Sequence, residues 1–189
     1  LYSTTAHNNT SVGSCALKAN TTASNNTAMG RAAMNANTTG AANTAIGTDS
    51  LYTNTTGAHN TAVGYNALRL TTSGSYNTAI GNCALYANTT GPGNTATGYT
   101  TLKSNTTGAR NTAHGRASLY NNTTGTRNTT SGYRSLFSNT TGSYNTASGY
   151  YALKNNTTAS ANTATGYHAL CANTGGCNTA VGHQALVAN

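Results

Sequence analysis

Apolar residues along this chain keep to a frame of seventeen positions instead of a helical stripe or a strict alternation. The frame reads N-T-A-x-G-x-x-A-L-x-x-N-T-T-G-x-x. It opens at Asn9, Asn26, Asn43, Asn60, Asn77, Asn94, Asn111, Asn128, Asn145 and Asn162, and again, one residue early, at Asn178. Self-similarity at a fixed short period marks stacked units that touch only their neighbours. Position nine holds the one large apolar residue: Leu17, Leu51, Leu68, Leu85, Leu102, Leu119, Leu136, Leu153, Leu170 and Leu186, with Met34 substituting once. These residues form the expected core column. Small residues accompany it at position eight (Ala67, Ser118, Ala169) and at position three (Ala45, Ala62, Ala79), as a narrow coil requires. Position four drifts from Val12, Met29, Ile46, Val63 and Ile80 to Thr97, His114, Ser131 and Ser148. A site that takes both Ile and His faces solvent or a partner subunit, not a sealed core.

Gly and Asn punctuate the frame. N-T-A-x-G reads as a short strand closed by a turn at Gly47, Gly64 and Gly81. A-L-x-x-N-T-T-G reads as a second strand closed at Gly40, Gly57 and Gly91, so two sheets are expected to approach closely. The predicted fold is all-β: a parallel β-solenoid, or β-roll, of about eleven seventeen-residue coils, forming one repeat domain over residues 1–189. Coils pairing at about 4.8 Å would make a rod on the order of 50 Å long. The sequence begins and ends in mid-coil, so a processed product or a portion of a longer chain is expected.

Asn recurs at positions one and twelve. Stacking turns each column into a ladder of amides, and Asn43, Asn60, Asn77, Asn94, Asn111, Asn145 and Asn162 make the first. The N-T-T triplets at Asn20, Asn37 and Asn54 are also N-glycosylation acceptors, which arise automatically in an Asn/Thr-rich repeat.

Composition narrows the function. Only 5% of residues are charged, the net charge is +8, and Asp49 is the sole acid. Paired-carboxylate catalysis and hard-cation sites are thereby excluded within one chain. The five His residues share no repeat position. We expect no enzyme activity and no cofactor. The basic residues are single and scattered, so neither specific nucleic-acid binding nor membrane insertion is expected. One Leu per coil is a thin apolar core. Further burial is expected from self-association, as a homotrimer along the rod, an end-to-end filament, or both.

Three other features carry chemistry. Tyr65, Tyr99, Tyr133, Tyr150 and Tyr167 follow the first Gly of their repeats. As surface aromatics they either reinforce the roll or offer a platform for glycans. Thr44, Thr61 and Thr78 make one row and Thr55, Thr89 and Thr106 another, an arrangement that an ice-binding face would use. Cys171 and Cys177 flank the shortened repeat and form the candidate disulfide, with four free thiols as the alternative. Cys15 and Cys83 lie four coils apart, roughly 19 Å, too far to bridge.

The blocks Asn43–Leu51 and Asn77–Leu85, N-T-A-I-G-x-x-A-L, resemble the S-V-A-I-G-x-x-A repeat of trimeric autotransporter adhesin heads. The whole unit is similar to repeats of phage tail-fibre and bacterial surface proteins. The resemblance covers essentially the whole chain and implies a parallel β-roll, commonly trimeric, outside the cell or on a virion. The departure is the period, which the N-T-T-G segment lengthens. The resulting expectation is a non-enzymatic, extracellular, self-assembling structural protein. An adhesin or tail-fibre segment recognising glycans is the first alternative, and ice binding the second.

Overall fold

The computed structural model describes residues 5–188. It is a parallel β-solenoid, with no helix among the described residues. Eleven three-residue strands stack in chain order in one sheet. They are β1 (Thr10–Val12), β2 (Thr27–Met29), β3 (Thr44–Ile46), β4 (Thr61–Val63), β5 (Thr78–Ile80) and β6 (Thr95–Thr97). The rest are β7 (Thr112–His114), β8 (Thr129–Ser131), β9 (Thr146–Ser148), β10 (Thr163–Thr165) and β11 (Thr179–Val181). Coils are numbered by the strand they carry. Register is strict: Thr pairs with Thr and Ala with Ala, as in Thr44↔Thr61 and Ala45↔Ala62. The one-residue deletion before Asn178 is absorbed outside the sheet, because Thr163 still pairs with Thr179.

The second expected strand does not form, and with it the second sheet. Between positions five and nine the backbone changes hand instead. Gly47 has φ 133°, Asp49 55° and Leu51 49°, and the same triplet recurs in other coils. A left-handed residue costs about 1 to 2 kcal/mol outside glycine, so the surroundings must hold it there. They do so in two ways. The position-seven N–H donates backward, as Asp49 to the Arg31 carbonyl at 3.0 Å, and the position-nine N–H donates forward, as Leu51 to the Ala67 carbonyl at 3.0 Å. The curl also aims every core leucine inward. Leu17, Leu51, Leu68, Leu85, Leu102, Leu119, Leu136, Leu153 and Leu170 are fully buried. Leu186 is the exception among the predicted column at 51% exposed, since no further coil covers it. Position five must be Gly for a second reason besides its φ: a Cβ on Gly81 would lie 2.5 Å from the Gly98 carbonyl oxygen.

Half of the interior is polar. Asn43, Asn60, Asn77, Asn94, Asn111, Asn145 and Asn162 are buried, as the ladder requires. Each position-one Oδ1 accepts the backbone N–H of the next ladder residue, as Asn43 does from Asn60 at 2.9 Å. The Nδ2 group turns to the position-fifteen carbonyl, where the second ladder converges. Gly57 oxygen accepts from Asn43 at 2.8 Å and from Asn54 at 2.9 Å. The two amide files are thus tied together in most coils, which satisfies buried polar groups that would otherwise cost about 1 to 3 kcal/mol each.

Candidate functional site

With the interior so uniform, variety is confined to the outward positions. Two surfaces stand out. The first is the sheet face. Its position-four row begins apolar and exposed: Val12 53%, Met29 42%, Ile46 39% and Ile80 44%, with Val63 half-buried between them. From coil 6 onward the row turns polar until Val181, with Thr97 and His114 hydrogen-bonded side chain to side chain. Thr44, Thr61 and Thr78 of position two run beside it, half-buried. The other Thr row is differently occupied. Thr55, Thr89 and Thr106 donate their hydroxyls to carbonyl oxygens of the following coil at 3.0–3.1 Å.

The second surface is the corner after the sheet, built by positions six, seven and ten. The left-handed turn brings these side chains out side by side. Position six gives an unbroken ladder through six coils: Tyr99, Arg116, Tyr133, Tyr150, Tyr167 and His183. The Arg116 guanidinium lies 5.6 Å from the Tyr99 ring and 5.8 Å from the Tyr133 ring. Tyr133 stacks on Tyr150 at 5.2 Å, Tyr150 on Tyr167 at 5.4 Å, and Tyr167 on His183 at 5.1 Å. Four of the five Tyr residues singled out in the sequence therefore join one file. Tyr65 stands apart, exposed on coil 4. The sequence reading missed the cations within and beside this file. Their signal was there: Arg116 occupies the same repeat position as the tyrosines.

Position ten runs alongside. Lys103 sits 5.5 Å from the Tyr120 ring and donates to its hydroxyl at 3.3 Å. That hydroxyl holds the Lys103 ammonium above the usual lysine range, against a smaller opposing effect of burial. Tyr120 stacks on Phe137 at 5.2 Å, and the Arg134 guanidinium covers Phe137 at 5.1 Å. Between the two files, over coils 6 to 8, lies a cleft of about 320 Å³. Higher up, the hydrogen bond between Tyr150 and Tyr151 raises the first phenol's pKa and lowers the second's.

Charge divides the molecule. Arg31 pairs with Asp49 at 3.3 Å, and Arg69 approaches the same carboxylate at 3.9 Å. Lys103, Arg116 and Arg134 have no acid to meet, because Asp49 is the only one in the chain. Among the described residues no group of His, Cys, Asp and Glu is placed to hold a metal ion, and no helix is long and apolar enough to cross a membrane.

The expected Cys171–Cys177 bridge is absent; all four cysteines are free thiols. Cys171 is buried, whereas Cys177 is exposed in the turn before Asn178. The shortened repeat closes through backbone bonds instead, with the Cys177 N–H donating to the Ser160 carbonyl at 3.1 Å. Comparison with known protein families, curated proteins and solved structures returned no match to the chain.

Proposed function

We propose that this chain is a non-enzymatic, extracellular structural rod that associates with copies of itself, as a homotrimer, a filament, or both. The observation carrying this reading is the apolar row Val12, Met29, Ile46 and Ile80, exposed on the sheet face with the half-buried Val63 among them and no charged residue in the row. Contiguous exposed apolar surface of this kind marks an association site. A second copy fits it best, since the row is straight, repeats at about 4.8 Å and can lie against its own equivalent. Sedimentation of the purified chain at micromolar concentration tests this. Species larger than the 19.1 kDa chain are expected, reverting to monomer when Ile46 and Ile80 become Asn. A folded monomer in the unaltered chain would refute lateral assembly. Ice binding is less well supported, because the Thr55, Thr89 and Thr106 hydroxyls are engaged by the next coil.

A further inference from the structure

The cleft over coils 6 to 8 has an unusual wall. Lys103, Arg116 and Arg134 come from three successive coils, so their backbones climb at about 4.8 Å per step. Lys103 and Arg134 are half-buried, and Arg116 and Tyr99 are exposed. Fully buried cations are ordinarily paired, and even the half-buried Arg69 draws to the Asp49 carboxylate at 3.9 Å. Here no carboxylate exists to pair with them. Three cations converging without a counter-charge create a local positive field that attracts an anion. The volume, about 320 Å³, is at the small end of ligand clefts.

The aromatic groups narrow the ligand. Several ring faces in this wall are already occupied: Tyr120 meets Lys103 and Phe137, Phe137 meets Tyr120 and Arg134, and Tyr99 has Arg116 upon one face. Nucleobases bind such surfaces by stacking on open aromatic faces. A ligand entering here meets ring edges, phenol hydroxyls and guanidinium groups instead. Those groups suit carboxylates and hydroxyls, and Arg receives a carboxylate through two parallel hydrogen bonds. The rise between coils is also close to the length of one sugar ring.

We propose that the Lys103–Arg116–Arg134 cleft binds a carboxylate-bearing sugar chain, with successive uronate units meeting successive coils. The site does not depend on lateral assembly, because its residues lie away from the position-four row. A short oligogalacturonate titrated into the full chain is the probe, with a neutral malto-oligosaccharide and an oligothymidylate as parallel arms. The uronate is expected to bind, to weaken as salt rises, and to slow arginine modification by phenylglyoxal at Arg116 and Arg134 but not at Arg31. Replacing Arg116 and Arg134 by Gln should weaken binding at least about tenfold, whereas Arg31→Gln should leave it unchanged. Equal binding of the neutral oligomer, tighter binding of the oligothymidylate, absent uronate binding, or unchanged affinity in the double variant would each overturn the assignment. Should the double variant misfold, the protection pattern on the natural chain decides alone.

Discussion

Coils 2 to 5 and coils 6 to 10 share one interior and wear different surfaces. In the first set the sheet face carries Met29, Ile46, Val63 and Ile80, and the cations Arg31 and Arg69 are drawn to Asp49. In the second the sheet face is polar, and the corner gathers unpaired cations around a continuous aromatic file. The inside differs only locally. Ser118, Thr130 and Ser135 put hydroxyls where most coils have Ala, and they satisfy one another, Ser118 bonding both of the others. The lesson is a division of labour within the repeat. Positions one, three, five, nine and fifteen fix the coil, which leaves positions four, six, seven and ten free to make one end apolar and the other basic.

A test that breaks the shared interior should therefore act alike in both halves. Asn43→Asp and Asn94→Asp each put a carboxylate oxygen where an amide now donates to a carbonyl at 2.8 Å. A buried charge facing an acceptor should cost at least about 3 kcal/mol at neutral pH. Such a carboxyl titrates higher in the fold than when unfolded, since burial disfavours the charge. Its protonated form can donate again, so stability should be retained below the ordinary Asp pKa of about 4 and lost as pH rises. Denaturant unfolding across pH checks this. A marked difference between the two variants would mean that the halves do not share one frame.

The leucine column gives the next largest effect. Leu68→Ala and Leu136→Ala, one in each half, should cost about 2 to 5 kcal/mol, because both side chains are fully buried. Leu186→Ala should stay within about 0.5 kcal/mol, since that leucine is half in solvent. Thermal melts of the three variants separate the positions.

These predictions also mark what could be read beforehand. The period alone gave the solenoid, the register, the leucine column and the first Asn ladder, because each needs only one residue type per coil. It could not give the backbone of positions seven and nine. Leu and most of the varied residues at position seven carry no propensity for left-handed φ, Asp49, Asn66 and His168 apart, and the paired forward and backward hydrogen bonds of a stack hold them there. The expected second strand failed for that reason. The candidate cleft escaped notice because its cations sit at three different repeat positions, six, seven and ten, and meet only after the corner folds. The disulfide rested on proximity in sequence, which says nothing about one thiol facing inward and the other outward.

Within the first set of coils the second ladder has a break. Coil 4 carries Thr71 where its neighbours have Asn54 and Asn88. The buried Asn54 Oδ1 and Thr71 Oγ1 consequently find no hydrogen-bond partner. Thr71→Asn should restore both links and stabilise the rod by about 1 to 2 kcal/mol. Urea unfolding would show a raised midpoint at unchanged slope. A lowered midpoint would mean that coil 4 has adapted to Thr and cannot take the longer amide.

The smallest expected effect concerns the thiols. Burial pushes the Cys171 thiol above its ordinary pKa, only partly opposed by the nearby Lys154 charge. Thiolate is the reactive form, so Cys171 should be alkylated slowest of the four, while the exposed Cys15 and Cys177 react first. Because the folded value is the raised one, the associated stability is fully present below the ordinary thiol value of 9.0 and declines as pH climbs past it. Cys171→Ala should remove that alkaline decline. A reducing agent should leave the melting temperature of the natural chain where it was. A fall on reduction would restore the Cys171–Cys177 bridge and require the shortened repeat to close through sulfur instead of through the Ser160 carbonyl.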